Sequence, residues 1–187
     1  MTIAAIESGS IFRRLKEGEV VQEFDCGEAY EDLNDFIIND AHLYRKELLA
    51  VTYVVEDACK TLAYCSLAND RIGIEDFPTG TAYNRFRRKK FVNAKRIKHY
   101  PAIKICRLGV DVGHQDKGLG TLIVDTVKWY FLDNNKSGCR YITVDAHKDA
   151  VQFYKKNGFV ELVETSHSLA SDTTLMFYDL MALKQAI

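Results

Sequence analysis

A glycine-rich loop between a strand and a helix most constrains how this 187-residue chain can fold. The chain reads Gln-Asp-Lys-Gly-Leu-Gly from Gln115 to Gly120, after a β-rich run that ends at Asp111. Apolar residues then recur at helical spacing, at Leu119, Leu122, Ile123, Val127, Tyr130 and Phe131. The pattern predicts strand, loop and amphipathic helix in that order, so the main-chain amides of the loop should lie at a helix N-terminus.

This loop is suited to an anionic ligand, because a helix N-terminus carries unpaired N–H groups and a partial positive charge. Gly118 and Gly120 would let such a ligand approach the main chain closely. A P-loop is excluded, because it needs Lys and then Ser or Thr after its second glycine, where this chain has Leu119 and Gly120. A dinucleotide-binding fingerprint is excluded as well, because it needs glycine or alanine where Ile123 stands.

The rest of the pattern predicts a mixed α/β (α+β) chain built around one sheet. We expect strands at 20–24, 51–55, 61–67, 102–110, 141–144, 159–163 and 175–180, and further helices at 28–49 and 149–157. In the first of these helices, Tyr30, Ile37 and Leu48 belong to an apolar series with steps of three and four residues, which should pack on one face. Gly158 should cap the second.

Length and composition favour a single globular domain, residues 1–187. No apolar run approaches the ~20 residues that cross a bilayer, and Met1 to Ser10 lack the pattern of a secretory signal. We therefore expect a cytoplasmic protein without membrane contact. The five cysteines form no C-x-x-C pair and no cluster with histidines, so we expect reduced thiols and no metal site.

Positive charge is concentrated in one segment, although the net charge of the chain is only −1. Residues 78–100, which begin at Pro78 and end just before Pro101, contain no acidic residue, and we interpret them as a basic insertion or lid. Their eight arginines and lysines are Arg85, Arg87, Arg88, Lys89, Lys90, Lys95, Arg96 and Lys98. Such a segment is suited to an RNA backbone, and a solvated, charge-rich helix is the alternative interpretation.

Two motifs together identify a family. About thirty residues beyond the Q-x-x-G-x-G loop, residues 150–159 read A-x-x-F-Y-x-x-x-G-F. In this combination and order the chain resembles the GNAT superfamily of N-acetyltransferases. The resemblance implies a mixed, mostly antiparallel central sheet of six to seven strands flanked by helices. It also implies that the fourth and fifth strands, 102–110 and 141–144, splay apart to admit acetyl-CoA.

The same resemblance implies which residues hold acetyl-CoA. The pyrophosphate would lie on the loop formed by Gln115, Asp116, Lys117, Gly118, Leu119, Gly120 and Thr121. Main-chain groups of Leu108, Gly109 and Val110 would contact the pantetheine arm and the acetyl group, with an N–H near Val110 as the oxyanion donor. These three residues would also suit an ordinary strand, and Gly109 could mark a β-bulge.

Tyr154 is the expected proton donor to the departing thiolate, again by resemblance. A phenol with a pKa near ~10 stays protonated at neutral pH and can donate, whereas the alternative is a packing role in an amphipathic helix. No general base stands out among His114, His147, Glu23 and Asp25, and Asp111 is expected to cap the turn of the glycine loop. An α-amine with a pKa near ~8 needs little help from a base, unlike a lysine amine.

A further resemblance concerns the acceptor. Phe24 to Gly27, followed by Leu33 to Ile37, resembles the F-D-x-G-x-x-x-L-(N/D)-x-(F/W)-L opening of bacterial GNAT toxins that acetylate the amino group of aminoacyl-tRNA. These toxins also carry a basic stretch where residues 78–100 lie. The resemblance implies charged tRNA as the acceptor and a small antitoxin protein as a partner.

Two alternatives stay open. One is a GNAT enzyme that acts on a small amine or a protein N-terminus, and the other is a noncatalytic acyl-CoA-binding or RNA-binding module. The oligomeric state is open as well, with a homodimer as one candidate.

Overall fold

A computed structural model describes residues 11–21, 23–57, 60–88, 97–135, 137–162 and 172–185. Its strands are β1 Ile11–Arg14, β2 Val51–Glu56, β3 Thr61–Gly73, β4 His99–Val110, β5 Tyr141–His147, β6 Val160–Glu161 and β7 Thr173–Asp179. Its helices are α1 Glu31–Asp35, α2 Ala41–Lys46, α3 Gly80–Arg88, α4 Leu119–Leu132, α5 Val151–Lys156 and α6 Leu180–Gln185. None of these helices has the length and apolar character needed to cross a membrane.

The strands form one mixed sheet in the order β1-β2-β3-β4-β5-β7-β6. The pairs β1–β2, β2–β3, β5–β7 and β6–β7 are antiparallel. In contrast, β4 and β5 are parallel, and their register joins Ala102–Lys104 to Tyr141–Thr143. The predicted mixed, mostly antiparallel sheet flanked by helices is confirmed, and a short parallel register between the fourth and fifth strands is what the expected splay requires.

Two compact units divide the chain. The first comprises Met1–Ala68 and Ile105–Tyr130, and the second comprises Asn69–Lys104 and Phe131–Ile187. Neither unit is continuous in sequence, and β3, β4 and α4 each contribute residues to both. The single domain over 1–187, with its basic insertion at 78–100, stays a prediction.

The core of the first unit surrounds Tyr64 of β3. The ring of Phe24 meets Tyr64 edge-on at 5.2 Å between centroids, and the ring of Phe36 stacks on it at 6.2 Å. The buried Tyr64 hydroxyl donates to the main-chain oxygen of Leu33 at 2.8 Å, so its polar atom is paired. Because Leu33 and Phe36 belong to the helical segment at 28–46, these contacts fix that segment to the sheet.

The helical segment at 28–46 confirms the helix predicted at 28–49, but part of its predicted buried face is exposed. Ile37 and Ala41 are buried as expected, whereas Leu48 is 92% exposed. The segment contains a π-helical turn at Phe36–Asp40, and a π turn adds a residue per turn and so rotates the face that follows. The last helical residue is Lys46, so Leu48, with φ of 57°, lies beyond the helix.

The first strand among the described residues is β1, at Ile11–Arg14, and the strand predicted at 20–24 is wrong, because none of its described residues is in a strand. Val21 and Phe24 are buried in the core of the first unit, which explains the apolar character of that stretch without strand pairing. β1 pairs instead with β2, and Arg13 adds ion pairs to Glu19 and Glu56.

An aromatic core in the second unit anchors α3. Phe86 lies 5.5 Å from Phe177 and 5.6 Å from Tyr141 between ring centroids. The buried Tyr83 donates its hydroxyl hydrogen bond to the carbonyl oxygens of Ile97, at 2.7 Å, and Lys98, at 2.8 Å. Phe86 therefore packs in the core and is not a surface for stacking bases.

Gly109 of β4 allows close packing of two aromatic rings. A Cβ at this position would lie 2.7 Å from a ring carbon of Tyr64 and 3.2 Å from Phe24. We expect Gly109→Ala to lower the free energy of unfolding by about 1–3 kcal/mol in urea denaturation, because the rings must shift. Gly80→Ala is the matched control, since its nearest neighbour would be Ile74 at 3.9 Å. Equal losses in both variants would contradict the packing argument.

Candidate functional site

The glycine loop lies between β4 and α4, as the sequence predicts. A 3-10 turn at Val112–His114 is followed by the exposed residues 115–118, and buried Leu119 begins α4. Asp116 and Gly118 have φ angles of 58° and 83°, in the left-handed region. Left-handed residues in a turn direct successive N–H groups into a concavity that suits an anion.

The main-chain amides of this loop are not consumed internally. Within the described part of the chain, no oxygen accepts a hydrogen bond from the amides of Gln115 through Thr121. The first amide of α4 with a partner is that of Leu122, which donates to the oxygen of Gly118 at 3.0 Å. Together with the positive end of a 14-residue helix, these amides fit a diphosphate.

Two side chains of the loop have structural roles instead. The side-chain nitrogen Nε2 of Gln115 donates to the main-chain oxygens of Cys26, at 3.0 Å, and Val110, at 3.1 Å. The ammonium of Lys117 donates to the oxygen of Gly113 at 2.8 Å. Both side chains therefore hold the loop in shape, and a ligand on this loop would meet its main chain.

Asp111 fixes the start of the loop. Its buried carboxylate accepts a hydrogen bond from the amide of Gly113 at 3.1 Å, which confirms the predicted cap. The ammonium of Lys60 lies 2.6 Å away and Nδ1 of His114 lies 3.1 Å away. Burial alone would raise the pKa of Asp111, but these hydrogen bonds outweigh burial and lower it. A carboxylate held ionised in this way is a poor general base.

The opening motif forms a polar cluster that contacts the same loop. Oδ1 of Asp25 accepts hydrogen bonds from the amide of Gly27, at 2.8 Å, and from Asn34, at 3.2 Å. Oδ1 of Asn34 accepts in turn from the amide of Cys26 at 2.8 Å. The main-chain oxygen of Asp25 accepts from Val112 at 2.7 Å, so the motif positions the entry to the glycine loop.

The predicted residues of β4 lie directly before the loop. Leu108 and Val110 are half-buried, and Gly109 is buried under Tyr64. Sequence reasoning missed Arg107, whose half-buried guanidinium lies 5.4 Å from the centre of the Phe36 ring. The sequence feature that could have revealed Arg107 is its positive charge in the otherwise apolar end of the strand predicted at 102–110.

Tyr154 lies in α5 of the second unit and is 5% exposed. Its ring contacts Phe153 and Phe159 edge-on, at 5.1 Å and 5.3 Å between centroids. Gly158, with φ of 78°, ends the helix as predicted, and its amide donates to the oxygen of Lys155 at 3.0 Å. The ring is therefore firmly packed, while its role as a proton donor stays a prediction.

Arg85, Arg87 and Arg88 belong to α3 of the second unit. Arg85 and Arg88 are exposed, and Arg87 lies 5.7 Å from the centre of the Tyr83 ring. No acidic residue in the described ranges forms an ion pair with any of the three. The other predicted RNA contacts lie outside the described residues: Lys89, Lys90, Lys95 and Arg96.

No group of three histidine, cysteine or carboxylate side chains able to hold a metal occurs among the residues the structure describes. The other histidine considered as a base, His147, is exposed at the end of β5.

Comparison with known proteins gives a family and a set of similar folds. Residues 81–176, slightly more than half of the chain, match the acetyltransferase (GNAT) domain. Comparison with curated protein sequences gives no match.

Three solved structures illustrate the similar folds. AtaT complexed with acetyl-methionyl-tRNAfMet has a TM-score of 0.75 and 20% identity, covering 95% of this chain and 98% of that chain. A tyrosine-to-phenylalanine mutant of KacT has a TM-score of 0.74 and 21% identity, covering 96% and 99%. A tyrosine mutant of the AtaT toxin, bound to the C-terminus of the antitoxin AtaR and acetyl-CoA, has a TM-score of 0.70 and 19% identity, covering 95% and 97%.

The seven-stranded mixed sheet and the unpaired amides of the glycine loop agree with the family match. The chain belongs to the GNAT family of acetyl-CoA-dependent N-acetyltransferases.

Proposed function

We propose that this protein transfers the acetyl group of acetyl-CoA to the α-amine of aminoacyl-tRNA. The observation that carries this choice of acceptor is α3, which exposes arginines that no described acidic residue neutralises. A similar fold, that of AtaT, has been solved with acetyl-methionyl-tRNAfMet, which supports the same acceptor class.

We assign the pyrophosphate of acetyl-CoA to the main-chain amides of Gln115 through Thr121, because these amides have no partner among the described residues. Main-chain groups of Leu108, Gly109 and Val110 are assigned to the pantetheine arm and the acetyl group. Acetyl-CoA supplies an activated thioester. The chain itself supplies binding by oriented N–H groups, which need no rearrangement when the ligand arrives.

Tyr154 is our proposed proton source, because its hydroxyl belongs to a ring that Phe153 and Phe159 hold in place. No dedicated base is required, since an α-amine with a pKa near ~8 is partly neutral at neutral pH. This agrees with the structural roles of Asp111, His114 and Asp25, each of which makes a side-chain hydrogen bond within or beside the loop.

Positioning of α3 supports contact with RNA. Tyr83 and Phe86 hold the helix by its inner face, so Arg85 and Arg88 project from a fixed support. Exposed arginines contribute most of their binding energy through phosphate contacts, which release counterions and weaken with salt. Lys89, Lys90, Lys95 and Arg96 are assigned to the same surface.

The proposal extends to a protein partner and to the oligomeric state. One AtaT structure contains the C-terminus of an antitoxin, and we propose an antitoxin partner for this protein too. We also propose a homodimer of single-domain chains that acts in the cytoplasm, where charged tRNA is found.

Acetyl-CoA should raise the melting temperature of the wild-type protein by about 5–10 °C at a concentration of 100 Kd, since binding adds about 2.7 kcal/mol. Gly118→Asp should abolish this rise, because it puts a negative charge among the proposed pyrophosphate donors. Gly138→Asp is the matched control, since both glycines have positive φ and open surroundings. Thermal shift measurements that show the same ligand effect in both variants would remove Gly118 from the coenzyme site.

Tyr154→Phe should lower kcat by about 10²- to 10⁴-fold and leave the Kd for acetyl-CoA unchanged, because only the proton source is lost. Fixed-time acetylation assays measure kcat, and calorimetry measures the Kd for acetyl-CoA. Tyr53→Phe, which removes another buried tyrosine hydroxyl, serves as the control and should retain activity. Unchanged turnover in Tyr154→Phe would leave this residue with a packing role.

Aminoacyl-tRNA should be acetylated in a salt-sensitive way. The Arg85→Ala/Arg88→Ala variant should raise KM for charged tRNA and reduce the slope of log KM against log salt by roughly 1 for each lost phosphate contact. Arg14→Ala/Lys16→Ala removes the same charge from exposed residues of the first unit and should have little effect. Acetylation of free amino acids but not of aminoacyl-tRNA would favour a small-amine enzyme.

A further inference from the structure

A small pocket in the first unit is not explained by the binding of acetyl-CoA. It encloses about 90 Å³, and its lining includes Phe36, Tyr44 and Leu49 on one side and Ser66 of β3 and Arg107 of β4 on the other. This volume is close to that of about three water molecules, or one side chain of medium size. Leu49 is 60% exposed, so the pocket is open to solvent at that edge.

Arg107 carries an uncompensated charge in this pocket. Its guanidinium contacts the Phe36 ring, and its Nη1 donates to the oxygen of Cys106 at 3.0 Å. Nε is buried without a hydrogen-bond partner, and no carboxylate in the described ranges forms an ion pair with the side chain. A half-buried cation without a counter-charge is available to a ligand that brings an oxygen acceptor.

One donor in the pocket, Nε of Arg107, lacks an acceptor. Besides Nε of Arg107, the pocket contains the hydroxyl of buried Ser66, whose oxygen already accepts a hydrogen bond from Thr52 at 3.3 Å. A ligand that satisfies these groups must bring an oxygen, because a group without an acceptor would leave the donors unpaired. A cationic ligand would also be repelled by the guanidinium.

The pocket lies close to the proposed reaction centre along one strand. Arg107 and Val110 of β4 are three residues apart, about 10 Å along a strand. Arg107 and Gly109 point to the same face of the sheet, the face covered by Phe36 and Tyr64. Phe36, which lines the pocket, is the first residue of the π-helical turn at Phe36–Asp40, and π turns recur at functional sites.

We propose that this pocket binds the side chain of the amino acid whose amine is acetylated, and that Arg107 selects for a side-chain oxygen and against a positive charge. The proposal rests on the proposed function, since it names which aminoacyl groups the enzyme accepts. Size limits the pocket to side chains of medium volume. The charge and the unpaired donor of Arg107 then favour asparagine over leucine of similar size, and exclude lysine.

The test compares asparaginyl-, leucyl- and lysyl-tRNA as acceptors for the wild type and for Arg107→Met, which keeps an apolar stem on Phe36 but removes the guanidinium. In the wild type, kcat/KM for asparaginyl-tRNA should exceed that for leucyl-tRNA by about 10-fold or more, with lysyl-tRNA lowest. In Arg107→Met, leucyl-tRNA should become the better acceptor and the penalty on lysyl-tRNA should shrink, chiefly through KM. An unchanged order of the three acceptors would overturn the proposal.

Two measurements separate this effect from misfolding. The melting temperature of Arg107→Met should equal or exceed that of the wild type, because an unpaired charge has been removed, and the shift caused by acetyl-CoA should be unchanged. Arg45→Met is the matched control, since Arg45 donates to the oxygen of Leu15 at 2.6 Å from the same helical segment that lines the pocket. This control should lose stability and keep the wild-type acceptor order.

A parallel series distinguishes failure of the pocket from failure of the tRNA assignment. Asparaginamide, leucinamide and lysinamide carry the same side chains without RNA, and their binding can be followed by NMR titration whether or not they are acetylated. Acetylation of the amides but not of aminoacyl-tRNA would show that the proposed acceptor is wrong. The relative binding of the three amides would still show which side chain the pocket prefers. Equal binding of the three amides to the wild type and to Arg107→Met, together with an unchanged tRNA order, would exclude the pocket as a selector.

Discussion

Tight packing between Tyr64 and Gly109 is the contact on which the first unit depends. The ring occupies space that any side chain at position 109 would fill, and it also touches Phe24 and Phe36. One tyrosine thus joins β3, β4, the opening motif and the helical segment, and its hydroxyl is satisfied by Leu33. The strand that leads into the glycine loop is therefore held by side-chain packing on one face of the sheet as well as by its place beside β3.

The glycine loop is held in shape by contacts that leave its main-chain amides unpaired among the described residues. Asp111, Gln115 and Lys117 use their side chains to tie the loop to neighbouring carbonyl and amide groups. The opening motif adds a bond from the amide of Val112 to Asp25. None of these contacts uses the main-chain amides of residues 115–121, which have no hydrogen-bond partner among the described residues. Preorganisation of this kind reduces the entropy lost on binding.

Much of the fold could be predicted from the sequence, because periodicity and glycine placement are local signals. The strand, loop and helix around Gln115 to Gly120 and the cap at Gly158 were found in this way. The strand predicted at 20–24 was wrong because Val21 and Phe24 are apolar in order to pack in the core of the first unit. Tertiary packing of this kind cannot be seen in a local sequence pattern. The exposure of Leu48 was missed because the helix ends at Lys46, and the apolar spacing did not indicate that end. Arg107 was missed because an orphaned donor is visible only once its neighbours are known.

The residues of α3 fall into two groups, because the helix is attached by its aromatic side chains and exposes arginines. Tyr83 and Phe86 are constrained by the core of the second unit, whereas Arg85 and Arg88 are exposed. Exchanges at the two arginines should therefore disturb little packing in the core of the second unit. Under the proposed function, exchanges at these two positions would change which polyanion the helix binds and leave the packing of Tyr83 and Phe86 beneath unaltered.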